Sequence, residues 1–178
     1  MESFTYKATP QNKRAIYLFI AFAIGAVAFT ILYLNMIQYR GLVGFVAMIF
    51  IVAAVFMYTR YMAAEYHYDV LVEGESRLFV VRHRLGNRET TMCRIDLHSI
   101  LSVERQTKEE RKAHTTPAEY KKYSYSPTVA PEVTYLITSS SRTEKAEITI
   151  EANDEFAATL MRYVSEIKAE YPTDEEYE

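Results

Sequence analysis

"AIYLFIAFAIGAVAFTILYLNMIQY", Ala15–Tyr39, and "GLVGFVAMIFIVAAVFMYT", Gly41–Thr59, hold no charged residue, and Arg40 alone stands between them. A helix rises about 1.5 Å per residue, so roughly 20 apolar residues cross a hydrocarbon core of about 30 Å. Each run has about that length. A surface helix of a soluble protein needs a polar face at some 3.6-residue phase, and neither run offers one. The two runs predict a transmembrane hairpin over residues 15–60, turning at Asn35–Arg40. The small-residue triplet Ala26–Ala28 has the look of a signal-peptide cleavage site. It lies inside the apolar run, however, and a second span follows at once, so an uncleaved anchor is expected.

Orientation follows from the basic residues. Lys7, Lys13 and Arg14 precede the first helix and Arg60 follows the second, against Arg40 in the turn, which places both termini in the cytoplasm of a multi-pass inner or plasma membrane protein. The single cysteine, Cys93, fits a reducing compartment, since one thiol forms no disulfide within the chain. Residues 1–14 then read as a cytoplasmic N-terminal tail.

After Arg60 the texture changes to short alternating segments between turn residues. Tyr66–Val72, Arg77–Arg84 and Arg88–Ile95 read as a three-stranded meander around "EGES" and "LGN", and Ser99–Gln106 adds a fourth strand. Thr107–Pro131 has no apolar periodicity and reads as a long loop, either functional or disordered. Strands resume at Glu132–Ser140 and Lys145–Glu151. Asn153 is placed to cap a final helix, whose apolar stripe is Phe156, Leu160, Val164 and Ile167 and which Pro172 ends. Residues 172–178 are an acidic tail. Six antiparallel strands and one amphipathic helix suggest a strongly bent sheet or small barrel with the helix plugging an open end.

The run "RLFVVRHRLGNRETTMCRIDLHSILSVE", Arg77–Glu104, resembles the membrane-anchored bacterial PH-like families. There "L-x-V/I-x-R", a turn and "I-P/D-L-x-x-I-x-x-V" occupy successive strands, and two transmembrane helices often come first. The matching positions are Leu78, Val80, Arg82, Ile95, Leu97, Ile100 and Val103. The resemblance implies an α+β membrane protein: a transmembrane helical hairpin followed, over residues 61–171, by a cytoplasmic PH-like antiparallel β split barrel capped by a C-terminal helix. It implies no reaction.

The residues offer no visible catalytic machinery. Cys93 shares a strand phase with Ile95 and Leu97 and reads as a buried structural thiol. The four histidines lack the close pairing of metal sites, and there is no glycine-rich phosphate loop, so no cofactor and no enzymatic activity are expected.

Charge is polarised: Arg77–Lys122 holds 11 Lys and Arg against 6 Asp and Glu, and Val133–Glu178 holds 4 against 11. A basic face of Arg82, Arg84 and Arg88 would be drawn to anionic lipid near the membrane. The first strand-to-strand loop, "VEGESR", is mainly acidic, however, where PH domains that read phosphoinositides usually place basic residues. A net charge of −3 argues against nucleic acid.

Within the long loop, "EYKKYSYSP" places Lys121 and Lys122 among Tyr120, Tyr123 and Tyr125. These residues suit packing over the domain, contact with a protein, or contact with lipid headgroups. In the hairpin, Ala21 with Gly25, and Gly44 with Ala47, offer small faces for helix packing. The reading is a membrane-anchored binding or scaffold protein whose domain meets a protein partner or membrane lipid. The alternative is an accessory or regulatory subunit of a membrane transport or channel complex.

Overall fold

The computed structural model describes residues 3–8, 13–35, 38–73, 76–141 and 144–170. The chain forms two compact units, Pro10–Ala64 and a second made of Met1–Thr9 with Glu65–Glu178.

The first unit is a helix pair, α1 (Lys13–Asn35) and α2 (Arg40–Tyr61), both long and apolar enough to cross a membrane. Only 11% of the most apolar stretch of α1 and 22% of that of α2 is buried, so most large side chains face outward, unlike those of a soluble core helix. The helices run antiparallel, with Phe19 of α1 near Tyr58 of α2 and Tyr33 near Gly44. Val43, Ala47, Ala54 and Met57 form the buried stripe of α2. Polar side chains on these helices satisfy themselves locally: the Thr30 and Thr59 hydroxyls and the Asn35 amide each donate to the carbonyl four residues back, at 2.7–2.9 Å.

The second unit contains two four-stranded sheets. Sheet A has the order β1 (Phe4–Ala8), β2 (Ala64–Glu73), β3 (Ser76–Leu85), β4 (Arg88–Asp96). Gly86, with a φ of 60°, makes the tight turn between β3 and β4, a conformation glycine adopts without a Cβ penalty. Met92 is the extra residue of a bulge in β4, since Val81 pairs with Cys93 while Arg82 pairs with Thr91. A 3-10 turn at Leu97–Ser99 leads into sheet B, of order β5 (Ile100–Thr107), β7 (Val133–Ser140), β8 (Lys145–Ile150), β6 (Tyr120–Ser124). The last element is α4 (Asp154–Glu170), which buries Phe156, Leu160, Val164 and Ile167 as its periodicity requires. Asn153 accepts the Phe156 amide at 2.9 Å and so caps it. Pro172 and the acidic tail 172–178 lie outside the described residues.

Three sequence expectations are corrected. The N-terminal segment is not only a tail: Phe4, Tyr6 and Ala8 alternate, and β1 pairs antiparallel with β2, Tyr6 opposite Tyr68. Phe4 and Tyr6 pack on Phe156 of α4, with ring centroids 5.6 and 5.4 Å away. The stretch 107–131 is not one long loop. It contains α3 (Lys108–Ala113), begun by a Thr107–Glu110 capping box, and then β6. The sheets are not wholly antiparallel either, because β6 runs parallel to β8.

Residues 107–131 are anchored over sheet B by polar contacts. Glu147, only 4% exposed, accepts from Thr116 Oγ1 at 2.6 Å and from His114 Nε2 at 2.9 Å. A carboxylate only accepts, so His114 carries its proton on Nε2. Arg111 donates to Thr134 Oγ1 and the Pro131 carbonyl, and Glu151 accepts from Ser126 and Thr128. Buried polar atoms need partners, and here the crossing segment supplies them.

Candidate functional site in the seam between two sheet edges

β4 is the edge of sheet A and β6 the edge of sheet B, and both line one cavity of about 360 Å3. Its volume falls in the roughly 300–1,000 Å3 of ligand pockets. The two edges are joined by a side chain: the Tyr125 phenol donates to the Met92 carbonyl at 3.3 Å. Met92 is the bulge residue, so the irregularity in β4 coincides with the point where the seam is bridged. Tyr125 is fixed from behind as well, its carbonyl accepting from the buried Tyr68 hydroxyl at 2.8 Å and its amide donating to Thr149 O at 2.9 Å.

Strand alternation then sorts "EYKKYSYSP". Lys121 and Tyr123 pair with Ala146 and Ile148 and share their face, toward the cavity, whereas Lys122 pairs with Glu147 on the other face. Tyr123 and Tyr125 stack with centroids 6.2 Å apart and planes 4° from parallel. The Tyr123 hydroxyl donates to Glu144 Oε1 at 2.8 Å, and Lys121 Nζ lies 3.4 Å from the same oxygen. The Tyr123 hydrogen bond, outweighing slight burial and assisted by Lys121, holds the Glu144 carboxyl below the usual range. Tyr120 belongs to the opposite face, with Lys145 Nζ 5.8 Å from its ring centroid and itself bonded to Glu119 at 2.7 Å. The five residues read together in the sequence therefore divide between two surfaces.

Cys93 lines the same cavity. Burial, with the charge of Glu144, pushes its thiol up to about 11, which suppresses the reactive thiolate. Burial also pushes Tyr125 up to about 12. Arg94, Ile95, Asp96 and Ser139 also line the cavity, and Asp96 is occupied in part by accepting the His98 amide at 2.9 Å. Neither Glu144 nor the serines carry a spacing motif, so the sequence held no direct signal for this cavity; only the pairing of β6 with β8 assembles it.

The basic residues of β3 and β4 do not make one open face. Arg82 bonds to Asp69, which is fully buried, and at 2.6 Å to Glu89, so a chain of alternating charge crosses β2, β3 and β4. The hydrogen bond to Asp69 raises the Arg82 pKa still further. Arg84 donates to the Gly86 carbonyl at 3.1 Å, and Arg88 is exposed across the turn. These two sit at the hairpin tip rather than beside Arg82 in an unpaired row.

In the helix pair, a Cβ on Gly25 would overlap the Phe50 ring, and one on Gly44 would lie 3.0 Å from the Tyr33 ring. Ala47 is buried and Ala21 exposed, so the small surface of α1 that meets α2 is Gly25 rather than an Ala21–Gly25 pair. Compared with models of known protein families and with curated proteins, the chain matches none.

Proposed function

We propose that this chain is a binding module held at the cytoplasmic face of a membrane by its helical hairpin, with both termini on the cytoplasmic side. In this reading the two sheets and α4 form a PH-like split barrel, and the cavity between the β4 and β6 edges receives part of a protein partner. The observation that carries the reading is the cavity itself. Two sheet edges open onto it, a pair of stacked phenols lines it, and the Tyr125 hydroxyl bridges it. Strand edges and tyrosine-rich concave surfaces are recurrent protein-docking features. The basic residues support lipid attraction less well, because Arg82 is matched by two carboxylates.

The test is photo-crosslinking in cells, with a photoreactive residue at Met92, at Met161 of α4 or at Val27 of α1, all exposed. Discrete protein adducts from Met92 and none from Met161 are expected. Adducts confined to Val27 would contradict the reading and favour a hairpin that acts as a subunit of a larger membrane complex.

A further inference from the structure

The seam cavity combines groups that suit one class of ligand. Its aromatic wall is Tyr123 and Tyr125, stacked nearly parallel, and its apolar wall includes Ile95, Ala146 and Ile148. At one side stands the carboxylate of Glu144, held by Tyr123 and 37% exposed. The ammonium of Lys121, 68% exposed and so loosely placed, lies 3.4 Å from that carboxylate. Arg94 is the cationic member of the lining; Asp96, two positions along β4, carries the opposite charge. A carboxylate attracts a cation through its charge, and the faces of phenol rings attract one through their quadrupoles.

We infer that the cavity binds an organic ammonium on an apolar stem, the charged group pairing with Glu144 beside Tyr123 and the stem lying against Ile95 and Ile148. Lys121 fills the cation position when the ligand is absent and competes with it. The ligand is either a free amine or a lysine side chain offered by a partner; both present the same chemistry. This inference rests on the cavity being the binding site, and it adds what the cavity selects.

Cys93 supplies the readout, because it is the only cysteine of the chain and lines the cavity. The full chain in detergent is alkylated with excess N-ethylmaleimide, followed as a slow time course because the thiolate is scarce, in the presence of phenethylammonium, its neutral isostere 2-phenylethanol, or N-acetyl-lysine methylamide. Phenethylammonium is expected to shield Cys93 at concentrations about tenfold below those of the alcohol. Shielding by the lysine amide at lower concentrations than by phenethylammonium would point to a protein side chain as the source, and the reverse to a free amine.

Glu144→Gln should abolish the preference for the cation. Lys121→Ala should strengthen shielding by about two- to threefold, since it removes the competing charge. That variant changes an exposed side chain, so it reads the site even if Glu144→Gln perturbs the fold. Equal shielding by amine and alcohol, or weaker amine shielding in Lys121→Ala, would overturn the inference. If either result accompanies discrete protein adducts at Met92, the cation assignment fails while the docking reading stands.

Discussion

Phe50 of α2 lies over Gly25 of α1, its ring stacked on Phe29 at 5.3 Å and edge-on to Phe22 at 6.0 Å. Phe22 and Phe29 are one turn to either side of Gly25, so the glycine is the floor of a slot and the two rings are its walls. In a bilayer, lipid tails would be as apolar as these side chains, and association would have to come from close packing of this kind.

Gly25→Leu should therefore destabilise the helix pair by about 1–3 kcal/mol, the usual cost of overpacking. Gly41→Leu is the control, because nothing lies within 4 Å of a Cβ at that position. Thermal unfolding of the full chain in detergent should show a lowered hairpin transition for Gly25→Leu alone.

The Asp69–Arg82 pair should behave as a buried unit. Arg82→Ala leaves a fully buried carboxylate without its cation, and a loss of about 3 kcal/mol is expected. Asp69→Asn with Arg82→Ala should recover part of that loss. A double-mutant cycle on denaturant unfolding measures the coupling, and strictly additive effects would show that the pair does not act together.

Glu147 predicts an acid-dependent step. Burial raises its pKa, but the hydrogen bonds from Thr116 and His114, with the charge of Lys122, more than offset this and leave the folded value lowered. A carboxyl depressed in the folded state contributes stability above its unfolded value of about 4.3, lost as pH falls through the lower folded value. Glu147→Gln should cost about 1.5–3 kcal/mol at pH 7, the scale of hydrogen bonds to a charged group. Its stability should then fall less than the wild type's below about pH 4.3, and parallel pH profiles would remove Glu147 as the source.

The legible parts of this chain were those where a single face sets the pattern. Two uncharged runs gave the hairpin, and alternation gave β2–β5, β7 and β8. The stripe of α4 was equally plain. β6 was hidden because neither of its faces is simply apolar: Lys121 shares a face with Tyr123, which lines the cavity, while Lys122 lies on the face of the buried carboxylate Glu147. Its parallel pairing with β8 is also non-local, and no hairpin signal announces it. For α3 and β1 the signals existed. "TKEE" at Thr107–Glu110 is a capping box, and "FTYKA" at Phe4–Ala8 alternates. The first lay in a stretch without apolar periodicity, and the second preceded a long apolar run that dominates the reading.

Whether a hairpin tethers the module to the cytoplasmic face is decided by thiol labelling in intact cells. In a Cys93→Ala background, single cysteines replace Ser3, Tyr39 or Met161, all exposed. An impermeant maleimide should label Tyr39→Cys in intact cells, and Ser3→Cys and Met161→Cys only after permeabilisation. Labelling of Ser3→Cys and Met161→Cys in intact cells, with Tyr39→Cys protected, would contradict the claim.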